Sequence, residues 1–131
     1  MKKGTFLNAD IIEVISKMGH TDEIVIADAG LPIPDGVRRI DLALKPGHPD
    51  FMTVLKALLE VYACESYVMA SEIKEKNPEM EKQILEALGD SQEEYVSHQA
   101  FKAATANAKA VIRTGECTPY ANVILRSGVI F

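Results

Sequence analysis

Apolar residues recur at the spacing of an α-helix in three parts of the chain. The first predicted helix starts after Asn8, a favourable N-cap, and ends at Gly19, which we expect in the left-handed conformation. The second, over residues 50–63, has the most continuous apolar face. The third begins at Pro78, because proline suits the first helical position, and Asn77 is its expected cap.

Short apolar runs lie between these helices and predict strands. The clearest strand covers residues 23–27, and others are expected at 67–70, 95–96, 110–112 and 123–125. Residues 37–44 alternate only in part, which favours a strand nearer the sheet edge. Alternating strands and helices are typical of a parallel sheet covered by helices. The sequence therefore predicts one α/β domain over residues 1–131, with three layers (α/β/α) and a mostly parallel central sheet, and we expect its apolar tail, 128–131, to be packed.

Two side chains that flank the first strand are candidates for acid–base chemistry. His20 lies in the polar turn before the strand, and Asp28 follows its last residue. Open α/β sheets bind ligands outside the carboxyl ends of their strands, and histidine titrates near neutral pH. Each residue also has a structural interpretation, His20 as a surface turn residue and Asp28 as a hydrogen-bond partner of the turn at Gly30. Local sequence leaves both interpretations open.

The other two histidines have less local support. His98 lies in the first turn of a helix that Ser97 is expected to cap, and Lys102 follows on the same helix face. Position alone favours a solvated residue at His98. His48 has nothing nearby to cooperate with it, so we assign it a structural role.

Residues 113–122 connect two predicted strands and are rich in turn formers. The segment can be interpreted as a tight connection. It also contains Tyr120 and Asn122, whose hydroxyl and amide groups suit the donors and acceptors of a sugar.

Composition narrows the function classes. The formal net charge of −5, without a basic cluster, argues against a nucleic-acid partner, which would need clustered positive charge. No apolar run approaches the ~20 residues that span a bilayer, and the N-terminus lacks the apolar core of a signal peptide. Cys64 and Cys117 have no metal-ligand spacing, so we interpret them as reduced thiols, buried or nearly so, in a cytoplasmic protein.

Several catalytic motifs are missing from the sequence. The three histidines have no spacing typical of a metal site, and the glycines form neither a dinucleotide-binding motif nor a P-loop. The sequence has no nucleophile elbow. We therefore expect a reaction that needs proton transfer and positioning, with no metal and no cofactor.

Motifs in a fixed order run from one end of the chain to the other. They are KG at residues 3–4 with LN at 7–8, GHTD at 19–22, IVIADAGLP at 24–32, RIDL at 39–42, EIK at 72–74, SH at 97–98, AVIRTGE at 110–116 and TPYAN at 118–122. Together they resemble the ribose pyranase and fucose mutarotase family, and residues 28–32 resemble its ribose branch. Cys117 departs from the apolar or aromatic residue expected there, and no function is attached to it.

The resemblance implies a cytoplasmic isomerase that interconverts the six-membered and five-membered ring forms of D-ribose, so that the furanose feeds a ribose kinase. It implies no cofactor, no nucleic-acid or membrane partner, and a ring-shaped homo-oligomer, a decamer of two stacked pentamers, with sites at subunit contacts. Matching the family's motifs makes His20 the proton donor, with Asp28 as its partner. The implied sugar ligands are Asp28, His98, Lys102, Tyr120, Ala121 and Asn122.

The chemistry of sugar ring opening agrees with these residues. Opening a cyclic hemiacetal needs a proton on the ring oxygen and the loss of one from the anomeric hydroxyl, and an imidazole can do both. Two alternatives remain. One is a mutarotase acting on the anomers of fucose or a related sugar, and the other is a non-catalytic sugar-binding module of a ribose transport system.

Overall fold

The computed structural model describes residues 1–131 and contains six strands and five α-helices. The strands are β1 (Glu23–Ala27), β2 (Arg38–Asp41), β3 (Cys64–Ala70), β4 (Gln92–Val96), β5 (Ala110–Arg113) and β6 (Val123–Ser127). The helices are α1 (Ala9–Lys17), α2 (Phe51–Leu59), α3 (Ile73–Lys76), α4 (Pro78–Ala87) and α5 (His98–Ala104), and a 3-10 turn, Thr105–Asn107, follows α5. No helix is both long enough and apolar enough to cross a membrane.

All six strands form one sheet in the order β2-β5-β1-β6-β3-β4. β5 pairs in parallel with β1 and β2, and β3 pairs in parallel with β4. β6 is antiparallel to both of its neighbours, β1 and β3. Five strands therefore run in one direction and β6 runs against them, which confirms the predicted α/β fold with a mostly parallel sheet. This topology places the start of β6 beside the carboxyl end of β1.

The side chains of β1 alternate between two hydrophobic cores. Ile24 and Ile26 belong to the larger core, where α1, α2 and α4 cover the sheet. Val25 and Ala27 belong to the smaller core, with Phe101 of α5. Because successive side chains of a strand point to opposite faces, the sheet is covered on both sides. The three-layer arrangement is confirmed.

Two of the predicted helix caps form as expected. Asn8 Oδ1 accepts a hydrogen bond from the backbone N–H of Ile11 at 3.0 Å, at the start of α1. Ser97 Oγ accepts from the backbone N–H of Ala100 at 3.1 Å, at the start of α5. Each cap satisfies an N–H group that the first helical turn leaves without a partner.

The turn between α1 and β1 differs from the prediction. Gly19 is not left-handed, and the positive φ of 69° falls on Thr21. The backbone N–H of Thr21 donates to the carbonyl of Ser127 at 2.9 Å, and Asp22 Oδ2 accepts from the backbone N–H of Gly19 at 2.9 Å. The first contact ties the turn to the end of β6, and the second lies within the turn itself.

Asn77 does not cap α4 through its side chain, contrary to the prediction. Its Nδ2 donates instead to Thr118 Oγ1 at 3.0 Å and to the carbonyl of Pro119 at 2.8 Å. The short helix α3, which was not predicted, precedes it. Asn77 therefore joins the α3–α4 junction to the segment before β6.

The apolar tail is exposed in the single chain, contrary to the prediction. Ile130 and Phe131 have relative exposed areas of 94% and 101%. The prediction that both thiols are buried is wrong for Cys117, which is exposed, whereas Cys64 is half-buried and both are free. The tail continues past the end of β6, where no element of the same chain packs on Ile130 and Phe131.

Candidate active site

Asp28 and Asn122 are paired where the carboxyl end of β1 meets the start of β6. Asn122 Nδ2 donates to Asp28 Oδ2 at 2.9 Å, and Asn122 Oδ1 accepts from the backbone N–H of Asp28 at 2.8 Å. Asp28 Oδ1 accepts from the backbone N–H of Gly30 at 2.9 Å, so the structural interpretation of Asp28 also holds. Asn122 is buried and Asp28 half-buried. The contacts fix one carboxylate at the edge of a cavity.

His98 and Tyr120 line the same cavity as Asp28, which has a volume of about 330 Å³. The rings of His98 and Tyr120 meet edge to face, with centroids 5.0 Å apart and planes at 88°. His98 Nδ1 is buried and has no hydrogen-bond partner. A buried polar atom without a partner is unfavourable by about 1–3 kcal/mol. The hydrogen-bonding capacity of this nitrogen is therefore unused within the chain.

Buried polar contacts hold residues 113–122 at this edge of the sheet. Thr114 Oγ1 donates to the last carbonyl of β1 at 2.8 Å. Glu116 Oε1 accepts from the backbone N–H of Phe51 at 3.0 Å, and Glu116 Oε2 accepts from Thr118 Oγ1 at 2.9 Å. Sequence reasoning missed Glu116, because nothing in the local pattern shows that this carboxylate is buried against the start of α2.

Glu72 fixes the start of α5 and, with it, the position of His98. Its two carboxylate oxygens accept from the backbone N–H of His98 at 3.1 and 3.0 Å. This hydrogen bond is the main reason why the pKa of Glu72 lies below its usual value. In the sequence Glu72 is only part of the EIK motif, and the structure gives it a defined contact at the site.

Lys102, Ala121 and Asn122 do not line the cavity. Lys102 is four residues after His98 on α5 and does not line the cavity. The side chain of Ala121 is buried in the larger core. Their roles as sugar ligands stay predictions.

His20 lies at the other end of β1 from Asp28. The five residues of β1 separate them, and a strand rises about 3.3 Å per residue, so the two ends are roughly 17 Å apart. Asp28 therefore does not orient His20 within one chain, and the pairing of these two residues stays a prediction. Residues that flank a single strand face opposite ends of the sheet.

The contact partner of His20 in the chain is Glu65. His20 Nε2 lies 3.0 and 3.2 Å from the two carboxylate oxygens of Glu65. His20 lines a second cavity of about 480 Å³, which is also lined by Tyr62 and by Ile130 and Phe131 of the apolar tail. The structure thus places the proposed proton donor beside an exposed apolar surface.

Tyr62 does not offer a second acid–base group in this cavity. Its hydroxyl donates to the carbonyl of Leu125 at 3.2 Å and lies 2.9 Å from Ser127 Oγ. Burial raises the pKa of Tyr62. Its hydroxyl therefore stays protonated and is engaged within the chain.

His48 lies outside both cavities. Its carbonyl accepts from the backbone N–H of Leu44 at 3.0 Å, and a Cβ atom at Gly115 would lie 2.5 Å from the carbonyl oxygen of His48. These backbone contacts agree with its structural assignment. No group of three or more His, Cys, Asp or Glu side chains is arranged to hold a metal ion.

Comparison with known proteins identifies the family. The model of the RbsD / FucU transport protein family matches residues 1–130. The chain belongs to this family. Among its relatives are the D-ribose pyranase of Bacillus cereus (strain B4264), 55% identical over 131 residues, and that of Clostridium novyi (strain NT), 54% identical over 131 residues. Both alignments cover 100% of each chain, which confirms the resemblance found in the motifs.

A solved structure shows the same fold as this RbsD / FucU chain. It is the structure of Bacillus subtilis RbsD complexed with D-ribose, with a TM-score of 0.98 and 52% sequence identity. The match covers 100% of both chains. The α/β architecture of the family is therefore shared over the whole chain.

Proposed function

We propose that this chain is an isomerase that interconverts the pyranose and furanose forms of D-ribose. The observation that carries the proposal is the cavity at the end of β1, where the Asp28 carboxylate and the unpartnered His98 Nδ1 converge. Its volume of about 330 Å³ suits a small sugar. The near-identical backbone of a protein solved with D-ribose, and the D-ribose pyranase relatives, support the choice of sugar.

Two side chains that line the cavity, Asp28 and His98, have hydrogen-bonding capacity left for a sugar hydroxyl. An ionised carboxylate has about four acceptor positions, and Asp28 uses two of them for Gly30 and Asn122. His98 Nδ1 has none of its capacity used. We assign sugar contacts to these two side chains, to Tyr120 and to Asn122. The backbone of Ala121 and the side chain of Lys102 complete the proposed set.

Proton transfer is assigned to His20, supplied by a neighbouring copy of the chain. Because His20 and Asp28 lie at opposite ends of β1, one chain alone does not contain both groups in one cavity. In a ring, each subunit presents two different surfaces, one to each neighbour, so the His20 surface of one copy can meet the Asp28 cavity of the next. The exposed Ile130 and Phe131 beside His20 support such a contact. The assembly we propose is the ring-shaped decamer of two stacked pentamers that the family resemblance implies.

The reaction needs only the redistribution of protons. As the bond between the anomeric carbon and the ring oxygen breaks, the ring oxygen gains a proton and the anomeric hydroxyl loses one, which leaves an open-chain aldehyde. Attack by a different hydroxyl on the aldehyde carbon closes the new ring: that hydroxyl loses its proton and the carbonyl oxygen gains one. The imidazole of His20 takes and returns these protons, a contribution of typically ~10²–10⁴-fold.

The cellular location that we propose is the cytoplasm. Both thiols are free, which supports a reducing compartment, the cytoplasm. There the furanose would be the substrate of a ribose kinase in ribose catabolism.

The proposal is tested by saturation-transfer NMR on D-ribose with catalytic amounts of the protein. The wild-type protein is expected to accelerate exchange between pyranose and furanose signals, as is the control variant His48→Ala, whereas His20→Ala is not. Ribose binding without accelerated exchange would favour the non-catalytic sugar-binding module. Acceleration of anomer exchange in L-fucose alone would favour the mutarotase.

A further inference from the structure

We infer that Glu65 is the positioning residue for His20: it holds the imidazole through Nε2 and leaves Nδ1 as the atom that exchanges protons with the sugar. This inference rests on the proposed function and adds a residue and an atom to it. Neither the sequence motifs nor the family relationship assigns a role to Glu65.

The geometry of the contact fixes the tautomer of His20. Nε2 lies 3.0 Å from Oε1 and 3.2 Å from Oε2 of Glu65, and these are the only hydrogen bonds of the ring. An ionised carboxylate only accepts hydrogen bonds, so Nε2 must carry a hydrogen. In the neutral ring the lone pair is therefore on Nδ1, which is the free nitrogen.

Other carboxylates near the turn are engaged elsewhere. Asp22 Oδ2 accepts from the backbone N–H of Gly19 at 2.9 Å. Glu23 Oε2 lies 2.9 Å from Arg126 Nε in an ion pair. Glu65, by contrast, has no cationic partner other than His20. Glu65 is therefore the carboxylate that remains free to bind the imidazole of His20.

An irregularity in the backbone pairing at Glu65 directs its side chain. The pairing of β3 with β6 shifts register between Cys64 and Ser66, so Glu65 lies in a bulge, outside the regular ladder. Bulges of this kind redirect a side chain and are frequent near active sites. Glu65 lies close to Gly128, the residue after β6. A Cβ atom added at Gly128 would lie 3.3 Å from Cβ of Glu65. A side chain at position 128 would therefore press on the glutamate.

The turn that carries His20 is hydrogen-bonded to the same end of β6. The backbone N–H of Thr21 donates to the carbonyl of Ser127 at 2.9 Å, and Gly128 follows directly. Both partners are about half exposed, with side-chain values of 52% for His20 and 50% for Glu65. Exposed ion pairs contribute little to stability. The bulge at Glu65 and the hydrogen bond at Thr21 hold both partners of the pair in place. A role in positioning the imidazole ring explains this arrangement better than a role in stability does.

The chemical consequence is a fixed acid–base atom. A carboxylate behind an imidazole holds the ring in one tautomer and orientation, and it stabilises the imidazolium that forms when the ring takes a proton. Here the proton of the anomeric hydroxyl moves to Nδ1, and the proton returned to the ring oxygen leaves from Nδ1. Glu65 only accepts the hydrogen bond from Nε2 and does not touch the sugar.

The test compares Glu65→Gln with the matched control Glu86→Gln, which changes an exposed glutamate on α4. Glu65→Gln is expected to lower kcat for ribose exchange by about 10- to 100-fold, part of the ~10²–10⁴ that an acid–base group supplies, with KM unchanged within about twofold. Glu65→Asp should recover part of kcat. Nitrogen-15 NMR of labelled histidine should show His20 protonated at Nε2 in the wild type and a mixture of tautomers in Glu65→Gln.

Wild-type kcat and an unchanged tautomer in Glu65→Gln would overturn the inference and leave the proposed function standing. A wild-type protein that does not accelerate ribose exchange would defeat the proposed function instead. If Glu65→Gln does not assemble, the tautomer measurement decides, because the His20–Glu65 contact lies within one chain.

Discussion

Asn122 holds Asp28 by two opposed hydrogen bonds, one donated to the carboxylate at 2.9 Å and one accepted from the backbone N–H at 2.8 Å. The contact joins the residue after β1 to the residue before β6. It uses the reversed direction of β6, because only an antiparallel neighbour starts where β1 ends. The orientation of the proposed sugar ligand Asp28 thus depends on the topology of the sheet.

Asn122→Ala removes both hydrogen bonds at once. The backbone N–H of Asp28 then lacks its partner, which is expected to destabilise the fold by about 1–3 kcal/mol. Ribose affinity should fall by about tenfold or more, since the carboxylate is no longer fixed. Calorimetry and denaturant unfolding measure the two effects, with the exposed Asn107→Ala as control. Unchanged ribose affinity in Asn122→Ala would contradict the assignment of this cavity.

His98→Leu separates binding from stability. The variant keeps an apolar side chain in place but removes Nδ1, the buried nitrogen without a partner. We expect the free energy of unfolding to stay within about 1 kcal/mol of wild type, the scale of the lost edge contact with Tyr120. The Kd for ribose should rise about tenfold or more, since the sugar loses a hydrogen-bond partner whose capacity is unused within the chain. His48→Leu is the control, and a His98→Leu protein that binds ribose normally would refute the role of Nδ1.

The lowered pKa of Glu72 predicts that the stability of the fold depends on pH. Its pKa is lowered, chiefly by the hydrogen bond from the backbone N–H of His98. A carboxyl group with a lowered folded-state pKa stabilises the fold above its unfolded value and loses that contribution as the pH falls through the folded value. The difference in Tm between wild type and Glu72→Gln should therefore be constant near neutral pH and shrink below the ordinary value of 4.5. Thermal unfolding from neutral pH down to about pH 3 measures it. A Tm difference that does not change over this range would show that the carboxylate is not the stabilising group.

The tail predicts a change in assembly. Phe131 is fully exposed in the single chain and lies beside His20 in the same cavity lining. Burial of an aromatic side chain stabilises a contact by about 1.5–3 kcal/mol, so Phe131→Ser should weaken the oligomer and lower activity with it. Phe131→Leu, which keeps an apolar side chain, should assemble normally. Sedimentation at matched concentrations measures the assembly, and a Phe131→Ser protein with the wild-type mass would place this surface outside the subunit contacts.

The elements that could be predicted from the sequence are those with local causes. The bounds of β1 follow from one β-branched run, and Asn8 and Ser97 cap helices a few residues away. Asp28 was correctly placed at the end of a strand, because that position depends only on the strand before it.

The features that were missed depend on residues distant along the chain. The partner of His20 is 45 positions away, and the contact of Glu116 with Phe51 spans 65 positions. A local sequence pattern does not reveal contacts between residues so far apart along the chain. The apolar composition of the tail predicts that it is packed, but it does not reveal that Ile130 and Phe131 are exposed in the single chain.

Subunit mixing tests whether the active site is shared between two copies of the chain. His20→Ala and Asp28→Ala proteins are each expected to be inactive in ribose exchange. When the two are coexpressed in equal amounts, random assembly pairs an intact His20 with an intact Asp28 at about one site in four, so the mixed oligomer should recover roughly a quarter of the wild-type rate. Mixed oligomers that contain both chains and still show no exchange would contradict a site built from two subunits.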